Sequence, residues 1–300
     1  MLPNNVRLKE VGPRDGLQNE KALIDTADKV ALVNQLSETG LDYIEVTSFV
    51  HPKWIPQLAD AVDVLTQIDR KPGVTYAALV PNMKGLARAL EANVDEVSVF
   101  MSASEGHNRE NINKSIAETF PVLREVVEAA KAAGKTVRGY VSTVIACPYD
   151  GYTKPEQVKY VADHLFEMGV DEISLGDTIG VAVPPQVETL LDELMKHYAP
   201  EKLAMHFHDT HGTALANIVA SLPYGITTFD SAIGGLGGCP YAKGASGNVA
   251  TEDVLYLLHS MGIETGVNLD QMMKASQFME QKINRQLTSK QMAIFRGEQS

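Results

Sequence analysis

A single thiol, Cys239, stands in the segment Gly234-Gly-Leu-Gly-Gly-Cys-Pro-Tyr-Ala-Lys-Gly-Ala-Ser-Gly-Asn248, behind a stretch that reads as a strand. Glycine accepts positive φ and close approach, so such a loop can bend its backbone around a ligand. A lone cysteine more often serves as a small buried hydrophobe. Here the flanking glycines offer little side-chain surface to bury it, and a nearby cation would tune its acidity. The same glycines could instead cradle a phosphate, as loops after late barrel strands do. No Gly-Lys-Ser/Thr follows, so this is not a Walker loop. The other cysteine, Cys147, has no such setting and reads as structural.

The second chemical signal is His206-Phe-His208. Side chains two apart on a strand share a face, so both imidazoles can aim at one centre; two satisfied barrel histidines are the plainer reading. Asp15 supplies a carboxylate and Asn248 a carbonyl oxygen. Nitrogen and oxygen donors together suit Mg²⁺ or Mn²⁺ in an open octahedral site. Neither a CxxC nor an HExxH spacing competes. Arg14, next to Asp15, reads either as a rim ion pair with Glu45 or Asp177, or as a fixed cation opposing charge on a carbonyl oxygen. Both hold if Glu45 orients the guanidinium. Asp177 reads as a group that positions Arg14 or a histidine, while Ser174 and Ser48 are candidates for polar orientation. His51, His107, His211 and Trp54 read as structural or surface residues.

These residues need a scaffold, and the chain supplies an alternation. Short apolar runs fall at 6–11, 41–47, 74–80, 94–100, 136–143, 170–176, 203–208 and 226–232. Between them lie helical patterns with ordinary ends: Thr26 caps a helix closing at Gly40, Pro155 opens one closing at Gly169, and 251–261 stops at Gly262. Eight strand–helix units predict a parallel sheet closed as a (β/α)8 TIM barrel, with a doubly wound sheet as the runner-up. The latter lacks a dinucleotide fingerprint after its first strand. In a barrel, functional side chains gather at the C-terminal ends of the strands, where Glu10, Arg14, Asp15, Glu45, Ser174, Asp177 and the His206–Asp209 stretch all fall. The segment 269–285 adds a C-terminal helix, the last dozen residues read as a tail, and 102–114 reads as a long polar loop able to touch a large substrate. No linker or composition shift divides the chain, so a single catalytic domain spanning 1–300, with its core at about 6–290, is expected.

Composition narrows the function classes. The 300 residues carry a formal charge of −12 and no strong basic run, which argues against nucleic-acid and anionic-membrane partners. Two cysteines give no disulfide framework, and no run of 18 apolar residues occurs. The N-terminus shows no signal or transit pattern, so a cytoplasmic protein, or a mature form with its leader removed, is expected.

The segments DSAIGGLGGCPYAKGASGNVATED, EVGPRDGLQNE and IEVTSFVHPKWIPQ together resemble the 3-hydroxy-3-methylglutaryl-CoA lyase family, over about residues 6–290. The cysteine loop is specific to that family; the wider superfamily of metal-dependent barrel lyases and synthases shares the Arg/Asp/Glu and HxH elements. The resemblance implies cleavage of (S)-3-hydroxy-3-methylglutaryl-CoA to acetyl-CoA and acetoacetate with Mg²⁺ or Mn²⁺, in leucine catabolism and ketone-body type metabolism. It implies Asp15, His206, His208 and Asn248 as metal ligands, Arg14 on the thioester carbonyl, Glu45 in the catalytic group and Cys239 in a mobile active-site loop. Cys239 or His206 would protonate the departing enolate. The partner implied is an acyl-CoA, with homo-oligomerisation left open. The nearest rivals are an acyltransferase of the same superfamily joining acetyl-CoA to a 2-oxo acid, and a lyase for a related 3-hydroxyacyl-CoA.

Overall fold

The computed structural model describes residues 2–238 and 247–299. Eight parallel strands close on themselves: β1 (Arg7–Glu10), β2 (Tyr43–Ser48), β3 (Thr75–Leu79), β4 (Glu96–Ser102), β5 (Thr136–Ser142), β6 (Glu172–Asp177), β7 (Leu203–Phe207) and β8 (Thr228–Ser231). Each pairs with its sequence neighbours, and β1 pairs with β8 in the register Arg7↔Thr228 to Glu10↔Ser231, which seals the barrel. Helices follow the strands, so the expected (β/α)8 barrel is what the chain forms.

Alternation along the strands explains both faces. Val137, Val141, Ile173, Leu175, Met205 and Phe229 are buried among the core apolar residues. The intervening positions are polar, and Arg138 on β5 reaches Asp230 on β8 across two intervening strands. Barrel interiors are usually filled by branched apolar side chains. This one carries a hydrogen-bonded polar column, which leads upward to the C-terminal rim.

The helix ends follow the sequence reading with one exception. Pro155 opens Pro155–Glu167, and Gly40, Gly169 and Gly262 take positive φ after their helices. Thr26 is the first residue of Thr26–Ser37 and not its cap; its hydroxyl donates to Asp60 at 2.7 Å. The expected additional helix is Leu269–Ile283.

Two other expectations need correction. The polar stretch 102–114 is not a loop throughout, because Glu105–Ile112 forms a helix tied down by Asn108, whose side chain bonds Ser102, Lys114 and Thr119. The last residues are not a tail, since Lys290–Gln299 is a helix. Asp253 accepts the backbone N–H of Lys290 at 3.0 Å and of Gln291 at 2.9 Å, and Met292 is fully buried beneath the helix. No helix among the described residues is long and apolar enough to cross a membrane.

Candidate active site

The turn after β1, strands β2 and β7, and the segment after β8 bring the site residues together at the C-terminal rim. After β1, a single π-type turn runs over Gly12–Gly16 with Pro13 near its start, a local widening frequent at functional sites. The turn places Arg14 and Asp15 side by side over the barrel mouth. Two glycines allow it to press against the segment after β8. A Cβ on Gly12 would lie 2.5 Å from Glu10 Oε1 and 2.7 Å from Ile233 Cγ2, and one on Gly16 would lie 2.7 Å from Leu236 Cβ. Glu10, the carboxylate that the sequence places at the end of β1, fastens this contact from below. Its Oε1 accepts the N–H of Gly12 at 2.7 Å and of Ile233 at 2.9 Å, and its Oε2 accepts from Thr251 at 2.7 Å.

Glu45 lies fully buried on β2, where the register with β3 shifts by a bulge between Glu45 and Thr47. Bulges re-aim side chains next to active sites. Here Glu45 Oε2 accepts from Arg14 Nε at 2.5 Å and from the Tyr140 hydroxyl at 3.1 Å. Arg14 Nη1 donates to Asp15 Oδ1 at 2.5 Å, while its guanidinium carbon sits 5.2 Å from the Tyr140 ring centre. Nη2 is left without a hydrogen bond among the described residues. Burial opposes the Arg14 charge, but Glu45 and Asp15 outweigh it, and the guanidinium stays protonated.

The histidines close the other side. His206 sits on β7 and His208 just beyond its end, where His208 bridges to Asn248 and Asp209 N–H donates to the Gly247 carbonyl at 2.7 Å. That pairing is what returns Asn248 to the rim. Its amide nitrogen donates to Asp15 Oδ2 at 2.8 Å and to the Leu236 carbonyl at 3.1 Å, so Oδ1 is uncommitted by either contact. One ligand atom each from Asp15, His206 and His208 lie within 4.8 Å of one another.

The electrostatics suit a cation. Burial pushes the His208 pKa down, and the charge of His206 adds to the effect, to about 4; the ring is neutral at physiological pH. Among the described residues its buried Nδ1 has no hydrogen-bond partner. Burial would raise Asp15, but Arg14, then His206 and His208, bring its carboxyl down to about 2. A partly buried carboxylate that stays ionised beside two imidazoles and an amide oxygen is a donor set for a divalent metal.

The structure therefore brings Arg14, Asp15, Glu45, His206, His208 and Asn248 into one cluster. Cys239 lies outside the described residues. Asp177 is not joined to Arg14 or to a histidine by a hydrogen bond. It accepts the backbone N–H of Val181 at 3.2 Å and of Ala182 at 3.0 Å, which shapes the loop after β6. Ser48 accepts from Val50 N–H at 3.2 Å in a turn, whereas Ser174 donates to Asp230 at 2.7 Å beneath the cluster. His107 is buried against Ser102, Trp54 is exposed, and Cys147 Sγ accepts two backbone N–H groups at 3.3 Å, a structural role.

Sequence reading missed Tyr140, Arg138 and Asp230. The signal was present: Arg138 and Tyr140 are two apart in the strand run 136–143, so they share the face opposite Val137 and Val141.

The HMGL-like family model matches residues 5–279. The chain is 55% identical over 295 residues to hydroxymethylglutaryl-CoA lyase YngG of Bacillus subtilis, covering 98% of this chain and 99% of the relative. A crystal structure of the Bacillus subtilis HMG-CoA lyase matches with a TM-score of 0.97, covering 98% of this chain and 99% of that one. A Pseudomonas aeruginosa protein, 3-hydroxy-3-isohexenylglutaryl-CoA/hydroxy-methylglutaryl-CoA lyase, is 56% identical over 276 residues, 92% of each chain. An Acinetobacter baumannii HMG-CoA lyase solved with coenzyme A and 3-methylmalate is 39% identical with a TM-score of 0.91, covering 96% of this chain and 94% of that one. A rim cluster built on a closed barrel, a family match over most of the chain and relatives above 50% identity lead to one conclusion: this chain belongs to the HMGL-like family.

Proposed function

We propose that this protein is a carbon–carbon lyase that cleaves (S)-3-hydroxy-3-methylglutaryl-CoA to acetyl-CoA and acetoacetate. The observation that carries the reading is the joint placement of Arg14, Asp15, Glu45, His206, His208 and Asn248 on one rim, in a chain 55% identical to a hydroxymethylglutaryl-CoA lyase along its length. Residues 1–300 act as one catalytic domain with its core at about 6–290. The buried core, which reaches from Val6 to Met292, supports this. The setting proposed is the cytoplasm.

Asp15, His206, His208 and the Asn248 carbonyl oxygen would hold Mg²⁺ or Mn²⁺. When bound, the ion supplies Lewis-acid chemistry that acidifies a substrate hydroxyl. The remaining work falls to side chains. Asp15, kept ionised by its neighbours, stands as base for the C3 hydroxyl proton. As the C2–C3 bond breaks, its electron pair moves onto the thioester, and negative charge collects on that carbonyl oxygen. Arg14 meets the charge with the uncommitted Nη2, while Glu45 and Tyr140 keep the guanidinium from turning away. Cys239 returns a proton to C2 and completes acetyl-CoA, with His206 as the alternative acid.

Purified protein incubated with 3-hydroxy-3-methylglutaryl-CoA should release acetoacetate and acetyl-CoA. It should form no product from acetyl-CoA and 2-oxo acids. Condensation without cleavage would make the chain an acyltransferase. A parallel incubation with a 3-hydroxyglutaryl-CoA bearing a longer C3 substituent measures how far the acyl specificity extends.

A further inference from the structure

Below the rim, Asp230 on β8 is fully buried and gathers hydrogen bonds from three elements. Its Oδ1 accepts from Arg138 Nη2 at 2.7 Å. Its Oδ2 accepts from Ser174 Oγ at 2.7 Å, from Arg138 Nη1 at 3.1 Å and from His206 Nδ1 at 3.0 Å. Arg138 is itself immobilised, donating to Glu172 Oε1 at 2.6 Å and to the Tyr140 hydroxyl at 2.8 Å. Lys9 binds the same Glu172 oxygen at 2.7 Å. Asp230 is thus the top of a braced polar column, and it touches the cluster only through His206.

An ionised carboxylate accepts hydrogen bonds and donates none. Arg138, at bidentate range, keeps Asp230 in that form. Whatever group binds Asp230 Oδ2 must therefore bring the hydrogen. For His206 this puts the proton on Nδ1 and turns Nε2 toward Asp15, whose Oδ2 is 4.0 Å away and too far for a hydrogen bond. The Tyr140 ring, edge-on at 6.2 Å between centroids, flanks the imidazole on another side.

We propose that Asp230 is a positioning residue that fixes the tautomer and rotation of the His206 ring, so that Nε2 is presented to the cation place beside Asp15 and His208. Arg138 and Ser174 act through Asp230. The proposal rests on the metal-holding part of the function proposed above. Metal-bound histidines commonly have their second nitrogen held by a carboxylate, and loss of that partner costs about 10–100-fold in metal affinity.

The test follows Mn²⁺ binding and histidine NMR on the full-length protein, so it does not depend on turnover. Asp230→Asn presents an amide that can donate where the carboxylate only accepts. Free Mn²⁺ measured by electron paramagnetic resonance should show affinity weakened by about 10–100-fold. Ser174→Ala, which removes one donor to Asp230 but leaves the His206–Asp230 bond, should weaken Mn²⁺ binding less than Asp230→Asn does. Isotope-edited NMR of metal-free wild type, under mildly alkaline conditions, should find the His206 proton on Nδ1. A folded Asp230→Asn protein with unchanged Mn²⁺ affinity would overturn the proposal, as would a wild-type His206 carrying its proton on Nε2. The wild-type spectrum decides the matter even if Asp230→Asn does not fold. Wild type that binds no Mn²⁺ yet carries the Nδ1 proton would remove the metal reading and leave the positioning by Asp230 standing.

Discussion

Arg14 makes its Nε and Nη1 bonds to two carboxylates, and the proposed mechanism assigns Nη2 to a substrate oxygen. If that oxygen gains charge only as the C2–C3 bond breaks, the interaction is strongest in the transition state. Arg14→Gln should then lower kcat by on the order of 10²–10³, the range for one lost oxyanion donor, with little change in KM. Normal kcat with raised KM would make Arg14 a ground-state binding group instead. Cys239 is the corresponding assignment for proton return. Cys239→Ala should lose about 10²–10⁴ in kcat while keeping its fold and bound metal. A near wild-type rate would transfer the role to His206. At this scale the sequence was informative wherever chemistry coincided with an unusual residue type: an arginine–aspartate pair after a strand, two histidines two apart, a thiol among glycines. Asp230 escaped because a single carboxylate in the short strand Thr228–Ser231 resembles a surface position until the strand is known to line a barrel.

The turn after β1 and the segment after β8 meet through Glu10, a fully buried carboxyl that receives two backbone N–H groups and one hydroxyl. Burial raises its pKa from the ordinary 4.5 to about 7 against those hydrogen bonds. Because the folded value lies above the unfolded one, the bound proton stabilises the fold. That contribution is complete below the unfolded pKa and is lost as pH rises through about 7. The sum, at about 1.4 kcal/mol per pKa unit, is about 3 kcal/mol. Glu10→Gln keeps the acceptor for Gly12 and Ile233 and offers Thr251 an N–H. The variant should therefore lose less Tm than wild type between about pH 6 and about pH 8. Equal losses would show that Glu10 is already ionised in the fold. Elements were legible where periodicity was strong, as in all eight barrel strands. The helix Lys290–Gln299 was not. It is short, and its anchor is a tertiary one, with Asp253 capping its first amides and Met292 filling the core.

As a whole molecule, the barrel joins residues as distant as Arg14 and Asn248 by a simple device. The chain closes β1 onto β8, so the first and last loops are neighbours, and the return segment at Asn248 pairs with the end of β7. Closure was predictable from eight repeated strand–helix units. The polar column inside was not, because sequence periodicity tells which residues share a face and not which face is inward. In the proposed function, this rim works through a divalent cation held by Asp15, His206, His208 and Asn248. The most direct measurement is acetoacetate release from 3-hydroxy-3-methylglutaryl-CoA by chelator-treated enzyme, titrated with Mg²⁺ or Mn²⁺, for wild type and His208→Ala. Turnover should vanish on chelation and return with the ion, and His208→Ala should need at least about tenfold more ion, the loss seen even for partners outside the ligand set. Full activity in rigorously metal-free wild-type enzyme would contradict the account.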